Sequence, residues 1–256
     1  MPVEVDERIS GTLSSVEQRR EMFVGKPALE IVPLLVASMP EIGTVEIISY
    51  QRGLCLAEAY PSIGKQLVEG LAMSFRIDRK VALRPDYWKE MAEDLKKIYI
   101  PHDYPDGSPV GQEEAAAWHE MYEEDEDEDK EVHLSLSSRV GEVGSPYRHS
   151  RQIPLMDFTC VPSVDSLLSV KSSLIASGEE KGIILHSGQS YHYYGLRTLS
   201  PYVEWKAWMK VWLRNTWTWP WADEKFIRKS LEDGFNFLRL TSGASKPVIP
   251  VVVDVI

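Results

Sequence analysis

Gly182-Ile183-Ile184-Leu185-His186-Ser187-Gly188-Gln189-Ser190-Tyr191-His192-Tyr193-Tyr194-Gly195 is the stretch on which the fold turns. It begins with a short apolar run, the pattern of a strand buried on both faces. The run opens into Ser-Gly-x-Ser-x-His, where the chain can come close to a ligand, and then into an aromatic strand. Period-two alternation places Ser190 and His192 on one face with Gly188, and Tyr191 and Tyr193 on the other. A serine hydroxyl beside an imidazole suits phosphate oxygens. A core histidine bonded to backbone beside an ordinary strand serine has the same pattern. His186 and His192 could share a metal, but no established ligand spacing surrounds them.

Upstream, residues 153–160 read as a strand containing Asp157. A carboxylate between Met156 and Phe158 is costly to bury unpaired, so it needs a cation, a donor or a metal, unless it ends the strand in solvent. A helix then runs from Pro162-Ser163 to about Ser177, with Val164, Leu167, Leu168 and Leu174 toward the core and Gly178 just past its end. A right-handed crossover would set the Asp157 strand parallel to the strand at 183–186 and beside it.

Downstream, residues 201–214 and 223–232 read as helices, and 235–241 and 248–255 as strands. Asp223 holds the N-cap position of its helix. Arg239 alternates with Leu238 and Leu240, so it projects from the other sheet face, where it could grip a triphosphate or pair with Glu232 or Asp233. Six of the eight tryptophans lie between Trp205 and Trp221. Trp205, Trp208 and Trp212 have the spacing of a packed helix face, while Trp217, Trp219 and Trp221 sit in a connection and either pack or stack bases.

Residues 1–121 read as a mixed α/β region, with strands at 45–50 and 54–60 around a turn at 51–53. A helix at 85–98, a loop at 101–111 and a short helix at 113–122 follow. Residues 122–132 form an acidic insertion; 123–131 hold eight acids and one lysine. Such a run cannot bury apolar surface and is expected to be disordered, and it is available to a protein partner. Residues 150–256 are the core. The expected class is α/β (α+β): a β-α-β core with a mixed sheet, plus an N-terminal α/β layer.

Composition narrows the function classes. No run approaches the roughly 18 apolar residues that span a bilayer, and the polar stretch Met1 to Arg20 has no secretory h-region. Two cysteines, Cys55 and Cys160, are too few for a disulfide framework or a thiolate zinc site. A cytoplasmic protein without a membrane partner is expected. The net charge of −11 argues against nucleic acid, but residues 205–246 carry eight Lys/Arg against four Asp/Glu. A basic face beside an acidic loop suits a nucleoside triphosphate or nucleic acid.

In order, Asp157, Ser190-Tyr191-His192, Asp223 and Phe237-Leu238-Arg239-Leu240 resemble the motifs of the archaeo-eukaryotic primase (primase-polymerase) superfamily, and most of all its small prokaryotic primase-like members. The resemblance covers about residues 150–250. It implies a nucleotidyltransferase of DNA replication in which Asp157 and Asp223 hold Mg²⁺ or Mn²⁺. Ser190, His192 and Arg239 would bind the incoming nucleotide, and Asp157, Asp223 and His192 would be the catalytic set. The family's first motif has a second acid two residues on, where this chain has Thr159. Either another acid, such as Asp165 or Glu142, supplies the ligand, or the domain is an inactive module that binds nucleotide, nucleic acid or a protein.

Overall fold

The computed structural model describes residues 15–52, 72–94, 131–145, 149–242 and 247–256. Its first sheet holds β1 (Ile42–Arg52), β2 (Ala72–Asp78), β3 (Glu131–Glu142), β4 (Arg151–Gln152) and β8 (Phe237–Arg239). β3 is the spine: β1 runs along one edge, while β4 and β8 share the other. The second sheet is ordered β5 (Leu155–Asp157), β7 (Tyr191–Gly195), β6 (Gly182–His186), β9 (Val251–Val255). The class is α+β as read, but among the described residues every named ladder is antiparallel, so the sheets are antiparallel and not mixed.

One pairing is corrected. β5 and β6 run in the same direction, as a β-α-β unit requires, but β7 lies between them and pairs with both. The neighbour of the Asp157 strand is therefore the His192 strand, antiparallel, and not the strand at 183–186. The cause is the tight turn after His186, where the Ser187 N–H donates to the Ser190 carbonyl (2.9 Å) and folds β7 straight back along β6. Residues 153–160 are not one strand either. Pro154 has no N–H for a ladder, so β4 stays in the first sheet and β5 begins the second.

The helices are α1 (Val16–Phe23), α2 (Ala28–Ser38), α3 (Arg79–Ala82), α4 (Pro85–Asp94), α5 (Val164–Ala176), α6 (Lys206–Arg214, after a π-helical turn at Pro201–Trp205) and α7 (Glu224–Asp233). The strand at 54–60, the residues from 95 through the helix at 113–122, and the acidic run up to 130 lie outside the described residues.

Two apolar clusters hold these layers. Between the sheets, Ile47, Leu134, Leu136 and Leu238 meet Leu155, Ile183, Leu185, Tyr194 and Val252, with Ile31 and Leu35 of α2. On the far side of the second sheet, Met156, Ile184, Tyr191 and Tyr193 meet Val170 and Leu174 of α5, Trp208, Met209 and Trp212 of α6, and Ile227 of α7. Each such side chain contributes about 1.5–3 kcal/mol when fully buried. Both faces of the second sheet are covered, which explains the uninterrupted Ile183-Ile184-Leu185. In α5, Val164 and Leu168 face outward, not coreward as expected; they are 74% and 57% exposed. At about 100° per residue, they lie roughly 120° and 160° around the helix from buried Val170.

A polar seam fixes the corner where the chain changes sheets. Asn236 Nδ2 donates to the Leu155 carbonyl (3.0 Å), and the Asn236 N–H donates to Ser138 Oγ (3.1 Å). Gln152 accepts from Ser138 Oγ (3.1 Å) and donates to the Gly234 carbonyl (2.8 Å). Four hydrogen bonds from three buried polar residues thus bind β3, β4, β5 and the approach to β8 into one unit.

Candidate functional site

Beside that seam, the two sheets open onto a cavity of about 600 Å³. Asp157, Thr159, Ser190, His192, Asp223 and Arg239 all line it, although they come from four separate stretches of chain. Ladder geometry brings the first set together. Asp157 lies directly opposite His192, with Oδ1 3.6 Å from Nε2. The His192 side chain is 9% exposed and that of Asp157 33%, so the carboxylate opens to the cavity while the imidazole backs it.

The segment at 221–223 joins through its backbone. The Thr159 N–H donates to the Trp221 carbonyl (2.7 Å), and the Asp223 N–H donates to the Asp157 carbonyl (3.2 Å). Residues 221–223 therefore lie alongside 157–159 as an extra edge. Asp223 is also the helix cap that its position indicates: its Oδ1 accepts from the Phe226 N–H (2.9 Å).

Ser190 and Arg239 line the cavity in ways the sequence did not disclose. The Ser190 hydroxyl donates to the Phe158 carbonyl, so its one proton is spent inside the protein. The Arg239 guanidinium donates to the carbonyls of Thr241, Val248 (2.9 Å) and Ser187 (3.0 Å). It ties the turn after β6 to β8 and the approach to β9, and it brings a positive charge to the wall. Asp233, an alternative partner for it, is taken by Lys229 (2.8 Å). Burial pushes the Tyr194 hydroxyl above the ordinary tyrosine range, so it remains a neutral donor to the Arg239 carbonyl (3.3 Å).

Two other expectations are settled. His186 cannot share a metal with His192, because it pairs with Tyr191 in the β6–β7 ladder and so lies on the opposite face. Its Nδ1 accepts from the Gly188 N–H (3.1 Å). Of the tryptophans in the connection, Trp219 packs on Trp212 (4.7 Å between centroids) and Trp221 against the second cluster, whereas Trp217 is 94% exposed.

Sequence reading missed His133 and Ser135 of β3, and Gln189, Phe226 and Phe237, which line the same cavity. His133 and Ser135 are nearly buried, on the β3 face opposite Leu134 and Leu136, and Ser135 is the ladder partner of Arg239. The first sheet thus supplies an imidazole, a hydroxyl and a guanidinium, while the second-sheet side supplies two carboxylates and another imidazole.

This donor set decides what cation fits. Among the described residues no group of three or more His, Cys, Asp or Glu is arranged to hold a metal. Neither alternative acid lines the cavity; Glu142 pairs with Arg151 (3.6 Å), and Asp165 is exposed in the first turn of α5. Asp157 and Asp223 remain, the second with one oxygen on its helix. Two carboxylates fit one hard cation completed by phosphate oxygens and water; they are too few for two.

Two antiparallel sheets thus meet at a cavity lined, in chain order, by Asp157, Ser190 and His192, Asp223 and Arg239. The sequence matches the AEP-like family, archaeo-eukaryotic primase 1D-like, over residues 113–249, more than half of the chain, and the chain belongs to that family. The matched span contains every residue that lines the cavity. No curated protein and no solved structure matches. Among the described residues no helix is long and apolar enough to cross a membrane.

Proposed function

We propose that the cavity binds a nucleoside triphosphate with one Mg²⁺ or Mn²⁺, and that the protein is a primase-polymerase-like nucleotidyltransferase acting on nucleic acid. The observation that carries this reading is the convergence of all four motifs on one cavity, whose lining holds both carboxylates and Arg239. Asp157 and Asp223 hold the cation, which supplies neutralisation of the triphosphate. His192 and the Arg239 charge favour the phosphates, and His133 faces the same space. In-line phosphoryl transfer depends mostly on positioning and charge, which these groups provide. Ser190 holds the Phe158 carbonyl and so positions the strand end that bears Thr159.

One observation favours a second reading, an inactive module that binds nucleotide without joining it. Thr159 stands where a second acid is expected, and its Oγ1 lies 3.3 Å from the Trp221 carbonyl. A hydroxyl is a weaker ligand than a carboxylate for a hard cation. Metal-dependent primer extension separates the two. Activity in the wild type that falls at least about a hundredfold in His192→Ala supports the enzyme. Silence in the wild type together with synthesis by Thr159→Asp assigns the inactive module. Equal rates in wild type and His192→Ala contradict the assignment of the cavity.

A further inference from the structure

Between Trp205 and Ala222 the chain carries Lys206, Lys210 and Arg214 and no acid, in a protein of net charge −11. The three recur at every fourth residue of α6 and so follow one another along its outer side. Trp208, Met209 and Trp212 fill the side against the second sheet. Lys210 and Arg214 are exposed and form no ion pair among the described residues. On adjacent α7, by contrast, Arg228 and Lys229 are neutralised by Glu224 (2.6 Å) and Asp233 (2.8 Å).

Exposed aromatic rings bracket this stripe. Tyr202, 82% exposed, lies four residues before Lys206, whose Nζ stands 5.7 Å from its ring centroid. Trp217, 94% exposed, lies three residues after Arg214. Its turn is closed by hydrogen bonds: the N–H groups of Thr218 and Trp219 both donate to the Asn215 carbonyl (2.9 and 2.7 Å), and Asn215 Nδ2 donates to the Val211 carbonyl (2.7 Å). An indole this exposed contributes little to the core. Four residues further on, the Trp221 carbonyl meets Thr159 at the cavity, so Trp217 stands within about 14 Å of it by chain reach.

We infer that the outer side of α6, with Trp217, seats a single-stranded nucleic acid leading to the cavity. Lys206, Lys210 and Arg214 take successive phosphates, and a base stacks on Trp217. A single strand offers phosphates and open base faces together, whereas a duplex hides those faces in its stack. The inference deepens the polymerase-like reading and takes its direction from it, but rests on residues outside the cavity lining.

The test is anisotropy of a labelled oligothymidylate of about 20 nucleotides, titrated with wild type, Trp217→Ala and Lys210→Gln/Arg214→Gln. Metal-dependent nucleotide binding and melting temperature are measured on the same samples. Trp217→Ala should weaken strand binding about tenfold. The double variant should weaken it and lower the salt slope by roughly 1.4, while nucleotide binding stays at the wild-type value. Strand binding that depends on these residues in a protein that binds no nucleotide would sustain this surface and overturn the reading of the cavity. Wild type that binds nucleotide but no strand overturns the surface alone, as do variants with undiminished strand affinity or a blunt duplex bound as tightly.

Discussion

Glu46 of β1 is 2% exposed, yet it carries its charge against Arg139, which reaches both carboxylate oxygens (2.6 and 2.7 Å), with Ser74 Oγ at 2.5 Å. Burial alone would raise the Glu46 carboxyl, but hydrogen bonds from Arg139, Ser137 and Ser74 and the nearby positive charge outweigh it and hold the group below its ordinary 4.5. A depressed carboxylate stabilises the fold above its unfolded value and loses that contribution as pH falls through the folded one. Acid denaturation below about pH 4.5 should therefore include Glu46. Arg139→Met removes the charged partner and leaves the buried carboxylate with Ser137, Ser74 and His149 (3.9 Å), costing about 3–5 kcal/mol at neutral pH. The Glu46 carboxyl then rises relative to the wild type, so in denaturant melts the variant's deficit should narrow on acidification. Parallel pH profiles of the two proteins would contradict this account. The same scale limits what sequence can tell: Asp223 is both helix cap and cavity carboxylate, and one residue type serves both roles.

Among the elements, the β6–β7 hairpin positions His192, and its closest fit is at Gly182. This glycine pairs with Gly195 across the ladder, and Tyr193 lies over it. A Cβ there would stand 2.2 Å from the Tyr193 ring. Tyr193 cannot withdraw easily, because its hydroxyl donates to buried Glu179 (2.7 Å), itself paired with Arg197 (2.6 Å). Gly182→Ala should cost about 1–3 kcal/mol through overpacking, seen as a lower denaturation midpoint with an unchanged slope. A midpoint at the wild-type value would show that the ring has room to move. The strands and helices around this hairpin were legible because their apolar periods, Ser163 and Asp223 caps and closing glycines agree. Strand order was not, because it depends on how tightly 187–190 turns, which periodicity does not encode. β3 was overlooked although His133-Leu134-Ser135-Leu136-Ser137 alternates strictly. That signal follows directly on the acidic run, and only the fold brings it to Asp157.

For the molecule as a whole, the family match and the folding unit have different limits. Residues 113–249 contain the cavity lining but omit β1, which runs along β3, and β9, which completes the second sheet. They also omit Ile31, Leu35, Val45, Ile47, Val252 and Val255 from the core between the sheets. Those side chains are worth about 1.5–3 kcal/mol each, against a total stability of about 5–15 kcal/mol for a typical domain. A fragment of residues 113–249 should therefore show no cooperative thermal transition by near-ultraviolet circular dichroism. A sharp transition would mean that the N-terminal layer is accessory to the fold. Here the motifs pointed to one cavity and were silent about support, because the groups that pack around the strands of Asp157 and His192 are ordinary apolar residues far away in sequence.

The measurement that bears most directly on the cavity is calorimetric titration of a nucleoside triphosphate, with and without Mn²⁺, into wild type and Asp157→Asn/Asp223→Asn. Asparagine caps a helix about as well as aspartate, so the double variant keeps α7 and its melting temperature while losing both negative charges. The account predicts Mn²⁺-dependent binding in the wild type and its loss by at least about tenfold, or 1.4 kcal/mol, in the variant. Equal affinity in the two proteins, or no heat from the wild type at millimolar nucleotide, would contradict it.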